Sequence, residues 1–270
     1  MSAPVGKIYE GGRFTVTAEH IQAYAAATGD HASVYEGHDA VAPPMFHVRL
    51  LFPSMTMVAD DPELALDKAR LVHGEHAATF HGPLRPGDVV DCTAKLLEIV
   101  DKSSGQLIVS GLYAHVDGDL RVECRTSYFV RGPSSGKSKG KREPPPEPPP
   151  HDYEEAFDVP SDASYRYADA SLDDNPIHVD PEYAVAAGLP DVILQGLCTM
   201  AMTLREAVRF GGGGDPRRLE YGSVRFSGFV RNGDRLTTRA WRQEDGSLAL
   251  VTLGPSGRPV ISNAVARFSA

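Results

Sequence analysis

Apolar and polar positions alternate over residues 89–100, 106–115 and 120–130 in the first half of the chain, and over 235–242, 247–253 and 259–268 in the second. A period of two sends successive side chains to opposite faces, so these stretches predict antiparallel strands with one covered face. A helical period precedes them. Ile21, Tyr24 and Ala25 follow Thr17, a residue able to cap a helix, and that pattern stops at Gly29. In the second half Ser161 or Asp162 can cap a short helix through Tyr165 and Ala168. Further on, Leu197, Met200, Ala201, Leu204 and Val208 form a one-sided apolar stripe, which stops at the glycine run 211–214. Each half therefore reads as helices followed by a meander of strands, and the class is α+β.

The halves also resemble each other in detail. Phe80-His81-Gly82-Pro83-Leu84-Arg85-Pro86-Gly87-Asp88 aligns with Phe226-Ser227-Gly228-Phe229-Val230-Arg231-Asn232-Gly233-Asp234, sharing Phe, Gly, Arg, Gly and Asp. The Pro-Gly-Asp and Asn-Gly-Asp triplets are turn chemistry between strands. Between the halves, residues 132–150 read GPSSGKSKGKREPPPEPPP, with no apolar side chain to join a core. This is a spacer, flexible in its Gly/Ser part and stiff in its proline part. The expected organisation is a unit over 1–131, a linker over 132–150 and a second unit over 151–270, because a single unit leaves the repeat unexplained.

A net charge of -9 argues against a general nucleic-acid footprint. Cys92, Cys124 and Cys198 are far apart and form no CxxC pair, so neither a zinc knot nor a disulfide framework is supported. No apolar run approaches the roughly 18 residues of a membrane span. A soluble, cytoplasmic protein is expected. His47, His73, His76 and His81 follow no regular spacing and are expected on the surface or in strands.

The densest polar cluster is Ser171-Leu172-Asp173-Asp174-Asn175-Pro176-Ile177-His178-Val179-Asp180-Pro181. Pro176 prevents a continuous helix between Asp173 and His178, so the segment is a shaped loop able to turn both side chains toward one point. A carboxylate and an imidazole near one water can share the work of base and acid. Asp180-Pro181-Glu182 begins a new helix, which stops at Gly188. Residues 192–195 then read as a strand running into the long helix. Gly196 stands at that helix start, where a backbone N–H is left unpartnered and the dipole favours negative charge. By residue types alone the run could equally be a turn with a cap.

These residues resemble the signature of the MaoC-like dehydratases, also called (R)-specific enoyl-CoA hydratases or hydratase 2: Ser-Gly-Asp-x-Asn-Pro-Leu/Ile-His-x-Asp. The signature is followed by an Ala-Gly step, here Ala187-Gly188, and an Ile-Leu-His-Gly-Leu segment, here 193–197. The resemblance spans both halves and implies two tandem hot-dog units, each a long helix wrapped by an antiparallel sheet. It implies that Asp173 and His178 hold and activate water for addition at C3 of a trans-2-enoyl thioester, that Asn175 positions them, and that the Gly196 N–H stabilises the enolate-like oxygen. The implied product is the (3R)-hydroxyacyl thioester, carried on CoA or an acyl carrier protein, with no metal or redox cofactor. Gln195, Leu172, Arg225 and Arg231 are the candidate substrate contacts. Leu172 stands where the family has glycine, and Gln195 where it has histidine; the first puts the local backbone in question and both put substrate fit in question. In the first half Asp30 keeps the acid position, but Ser33 and Tyr35 stand at the proline and histidine positions. One active site per chain is expected, with residues 42–46 shaping the acyl pocket, and a homodimer is left open.

Other readings are weaker. His178 and Asp180 lack a third ligand at metal spacing. Ser171 and Cys198 sit in no nucleophile elbow. A hot-dog thioesterase would share the scaffold but would not need the Asp-x-Asn-Pro-x-His loop, and an inactive acyl-thioester binding protein is the alternative outside enzymes.

Overall fold

The computed structural model describes residues 5–67, 70–132 and 150–269. The expected linker lies almost wholly outside the described residues. In the first half β1 (Ile8–Thr15) leads to α1 (Ala18–Ala27), α2 (His47–Ala59), β2 (Leu71–Phe80), β3 (Val89–Lys102), β4 (Gly105–Val116) and β5 (Asp119–Arg131). The second half contributes β6 (Tyr153–Asp158), α3 (Ala163–Ser171), α4 (Pro176–Val179), α5 (Pro181–Ala186), α6 (Gly196–Gly211), β7 (Leu219–Phe226), β8 (Arg235–Arg242), β9 (Leu248–Leu253) and β10 (Pro259–Phe268).

The strands join in one ten-stranded sheet in the order β1-β3-β4-β5-β2-β7-β10-β9-β8-β6. Read outward from the β2–β7 junction, the two halves carry the same order. The repeated nonapeptide is the turn that makes them match. Gly87 and Gly233 both take positive φ, +93° and +83°. Asp88 and Asp234 each accept from a backbone N–H three residues earlier, Arg85 at 2.7 Å and Arg231 at 2.9 Å. The same turns anchor what precedes them: Val16 N–H donates to Asp88 O at 2.9 Å, and Val159 N–H to Asp234 O at 2.8 Å. Short turn sequences thus fix equivalent strand registers in both units.

The halves meet where β2 runs antiparallel to β7, from Glu75 opposite Arg225 to Thr79 opposite Tyr221. Gly222 lies in that seam, and a Cβ there would come within 2.8 Å of the Leu204 side chain of α6. Helix α6 is buried from Leu197 to Val208. Met200, Met202 and Leu204 are almost fully enclosed, each worth about 1.5–3 kcal/mol by transfer from water. Arginines tie the halves together by capping each other's helix ends. Arg205 of α6 donates to Thr28 O and Gly29 O after α1, at 3.0 and 2.9 Å. Arg49 of α2 donates to Asp169 O and Ala170 O at the end of α3, at 3.1 and 2.9 Å. A cation at a helix C-terminus satisfies orphan carbonyls and meets the negative end of the dipole.

The strands expected after the Gly-Asp turns are present, as is α1 with Thr17 accepting from His20 N–H at 3.2 Å. Asp162 occupies the cap position of α3, but its side chain makes no capping bond. Four strands, α2 and the one-turn helix α4 escape the sequence patterns. A bulge between Glu10 and Gly12 breaks the alternation of β1, and Pro53 interrupts α2, where burial of Val48, Leu50, Leu51, Met55 and Val58 outweighs the lost backbone bond. The expectation that the histidines lie on the surface or in strands holds for His81, which is exposed, and for His73 and His76 in β2. His47 corrects it: this residue opens α2 and is buried.

Candidate active site

The signature loop begins where α3 ends. Leu172 adopts φ 67°, ψ 12°, the left-handed conformation that closes many helices. Leucine thus keeps the backbone that glycine would adopt freely, against a cost of about 1–2 kcal/mol. The Leu172 side chain points outward and is 40% exposed. Ser171 Oγ donates to Tyr167 O at 2.6 Å and accepts from Asp173 N–H at 3.2 Å, fixing the step into the loop. Asn175 caps α4 by accepting from Ile177 N–H, and Pro176 fills the first helical position. Asp180 then caps α5, accepting from Glu182 N–H at 3.0 Å and Tyr183 N–H at 3.1 Å.

Residues 193–195, just ahead of α6, hold both Asp173 and His178. Ile193 O accepts from His178 Nδ1 at 2.7 Å. A carbonyl can only accept, so Nδ1 carries the proton and Nε2 keeps its lone pair. Gln195 Nε2 donates to Asp173 O and to Ser164 O, each at 3.0 Å. The loop is pinned against the start of α6, which brings Asp173, His178 and Gly196 to one end of that helix. Asp173 and His178 are both buried, each 8% exposed.

Burial sets their protonation. Loss of water pushes the Asp173 carboxyl up to about 7; the Asn175 N–H partly opposes this and the Asp174 charge adds to it. Burial also drives the His178 imidazole down to about 4, so it is neutral near pH 7, and its bond to Ile193 only partly offsets that. The Asp173 charge is felt by Tyr24 and Tyr128 of the first half and by Tyr167. The pair therefore faces the junction between the halves. Phe46 packs edge-on against Tyr24 with centroids 5.8 Å apart, placing the 42–46 segment at this junction too.

The proposed substrate contacts divide. Gln195 is fully buried with both amide donors used on backbone carbonyls, which ties it to the loop, while its Oε1 has no partner. Arg225 is exposed on β7 and pairs with Glu75 across the junction at 3.0 Å. Arg231 is exposed, stands 3.5 Å from Asp234, and its backbone bridges Ile193 beside the loop. Gly196 has a further reason to be glycine: a Cβ there would come within 3.1 Å of the Phe226 ring. As the first residue of α6 it has no preceding turn to receive its N–H. Sequence reasoning missed Arg49 and Ser171 as supports of the loop. Only tertiary contact reveals the arginine, since its carbonyl partners lie 120 and 121 residues away.

The first-half copy is built the same way but carries different residues. Val41 N–H donates to Val34 O at 3.0 Å, as Ile193 N–H donates to Ile177 O at 3.2 Å, and Ala42 N–H donates to Leu84 O as Leu194 N–H does to Val230 O, both at 2.8 Å. Counted from these matched bonds, Tyr35 replaces His178 and Pro44 replaces Gly196. Tyr35 Oη donates to Asp30 Oδ2 at 2.7 Å, occupying the acid. Proline has no N–H to offer an anion.

Residues 143–260 match a MaoC like domain, and residues 3–117 match a FAS1-like dehydratase domain region. The chain belongs to the MaoC-like dehydratase family. It is 32% identical over 241 residues to peroxisomal multifunctional enzyme type 2 of Mus musculus, covering 86% of this chain and 32% of that one. It is 29% identical over 207 residues to enoyl-CoA hydratase ChsH3 of Mycobacterium tuberculosis, covering 76% of this chain and 72% of that one. The chain spans about a third of the length of the multifunctional relatives from mouse and Drosophila melanogaster, 32% and 35%. A MaoC-like dehydratase of Phytophthora capsici has the same fold, with TM-score 0.83 at 23% identity over 98% of this chain and 95% of that one. A Mycobacterium tuberculosis protein described as a double hotdog fold superposes with TM-score 0.63 at 13% identity, over 98% of this chain and 96% of that one. The expected pair of hot-dog units is thus the architecture of this MaoC-like chain.

Proposed function

We propose that this MaoC-like protein is a hydro-lyase that reversibly adds water to a trans-2-enoyl thioester, giving the (3R)-3-hydroxyacyl thioester. One observation carries the reading. The backbone of Asp173, whose buried carboxyl is pushed up to about 7, and the neutral ring of His178, which keeps a lone pair on Nε2, are both fastened to the segment that starts α6. A base is most effective when its pKa lies near the working pH. Asp173 meets that condition and His178, held near 4, does not. The ionised Asp173 is therefore the base, and His178 Nε2 accepts the second O–H of the same water and aims it.

The steps balance on one proton. Asp173 takes a proton from water as the oxygen bonds to C3. The C2–C3 π electrons move onto the thioester carbonyl, and the Gly196 N–H at the helix N-terminus meets the developing oxyanion. Asp173 then returns its proton to C2 and is again ionised. Dehydration runs the same steps backward. No metal or redox cofactor takes part in this scheme, and CoA or an acyl carrier protein carries the acyl group. Arg231, beside the loop, is the candidate for the carrier's phosphates.

Crotonyl-CoA tests the reading. Hydration removes the enoyl-thioester absorbance and leaves the thiol bound. Release of free thiol would point to a thioesterase, and no change with crotonyl-CoA or longer enoyl-CoAs would point to a binding protein. The same reading puts the enzyme in the cytoplasm, which cell fractionation checks, and admits a homodimer, which light scattering checks. Among the described residues no helix is long and apolar enough to cross a membrane.

A further inference from the structure

Strand β2 carries an unusual load of histidine on one face. His73 and His76 are three apart, so a regular strand would send them to opposite sides. Gly74 is a bulge: His73 pairs with Tyr128 and Glu75 with Ser127, so the strand gains one unpaired residue. Both imidazoles consequently turn into the interior. His76 lies opposite Thr126, and Ala78 opposite Cys124. Positions two apart on paired strands share a face, so Cys124 sits diagonal to His76. The start of α2 lays His47 over them, its ring parallel to that of His76 with centroids 6.1 Å apart. One ligand atom from each of His47, His76 and Cys124 lies within 4.8 Å of the other two.

This corner holds an accumulation of unmet polar atoms. His47 Nδ1 is 3.0 Å from Pro44 O, so it carries the proton and Nε2 keeps a lone pair. That Nε2 has no partner, and neither ring nitrogen of His76 has one, although both residues are only 1% exposed. Each buried unpaired polar atom costs about 1–3 kcal/mol. The neighbours do not relieve them: His73 Nε2 is taken by Thr126 Oγ1 at 2.6 Å, and Phe80 packs its ring against His47 with centroids 5.7 Å apart.

We infer that His47, His76 and Cys124 form a binding site for Zn2+, separate from the catalytic loop. Two imidazoles and a thiolate suit a borderline-soft ion and exclude the oxygen-seeking Mg2+ and Ca2+. The Pro44 carbonyl holds the His47 ring in the tautomer that presents Nε2, the usual outer support of a metal-bound histidine. Binding exchanges the Cys124 thiol proton for the metal, Cys–SH + Zn2+ giving Cys–S–Zn+ and H+. Bonds of about 2.0–2.3 Å require the three ligand atoms, now within 4.8 Å of one another, to close around the ion, and leave a fourth position open.

The test uses the full chain, stripped with a chelator and dialysed against Zn2+. Elemental analysis is expected to find one ion per chain, with one proton released on binding. Co2+ is expected to give a thiolate-to-metal charge-transfer band. Cys124→Ser and His76→Asn should each weaken binding at least about 100-fold, the upper end of what loss of an outer-shell support alone costs. Cys92→Ser, a buried thiol elsewhere, should bind as the parent does. An ion-free parent chain, binding that survives both Cys124→Ser and His76→Asn, or a Co2+ complex without the thiolate band would each overturn the proposal; an ordered water filling the corner gives the first of these results. Should either variant fail to fold by circular dichroism, the band and proton count of the parent chain decide alone.

Discussion

Replacing Asp173 by asparagine should make the protein more stable and inactive. The carboxyl is 8% exposed and its pKa is raised from 3.8 to about 7 by burial. A carboxyl with a raised folded pKa contributes its stability in full below the unfolded value and loses it as pH rises through the folded value. The parent protein therefore pays for ionising Asp173 between pH 3.8 and about 7. At 1.36 kcal/mol per pH unit, the toll reaches about 4 kcal/mol by pH 8. Asparagine has the same shape and no charge to desolvate. Its weaker acceptance from the Asn175 N–H returns about 1 kcal/mol, leaving a gain of about 3 kcal/mol at pH 8 and little difference at pH 4. Urea unfolding of both proteins across this range measures the gap from the midpoints. A gap that does not grow between pH 4 and 7, or a variant less stable than the parent at pH 8, would refute the assignment of a buried, uncompensated carboxylate. The same ionisation makes the base, so stability and activity should move in opposite directions with pH.

Hydration kcat/KM should accordingly rise through a single ionisation near pH 7; a decline above pH 7 would mean that the protonated acid is the working form. Leu172→Gly should relieve the left-handed strain and add about 1 kcal/mol in thermal or urea melts with activity retained, whereas a loss of stability would show that glycine's freedom in the unfolded chain dominates. Gln195→Ala leaves Asp173 O and Ser164 O without their buried donor, so it should cost about 1–3 kcal/mol and lower kcat more than it raises KM. Arg49→Met uncaps the end of α3, costing about 1 kcal/mol in unfolding measurements and slowing turnover through the loop that follows.

Much of this was legible in the sequence because local chemistry dictates it. The repeated Gly-Asp turns set the strand registers, and Asn175-Pro176 and Asp180-Pro181 set the loop, since proline and capping side chains act on their immediate neighbours. What escaped depends on partners far along the chain. The α2 helix contains Pro53 and is secured by burial. The Gly74 bulge hides the shared face of His73 and His76 by breaking the period of two. The hold of Gln195 on the loop escaped because its partners, the carbonyls of Ser164 and Asp173, are backbone atoms that no side-chain pattern reports. The left-handed turn at Leu172 escaped because leucine, unlike glycine, gives no local signal for positive φ. The upward shift of Asp173 and the downward shift of His178 follow from burial of both groups at the junction, which only the assembled halves create.

The most direct measurement is hydration of one enoyl-CoA by the parent protein beside Asp173→Asn, His178→Ala and Asp30→Asn, each checked for folding by circular dichroism. The account predicts a loss of at least about 100-fold for the first two and a rate close to the parent's for Asp30→Asn, whose carboxyl is already held by Tyr35. Full activity in Asp173→Asn and His178→Ala, or its loss only in Asp30→Asn, would contradict it.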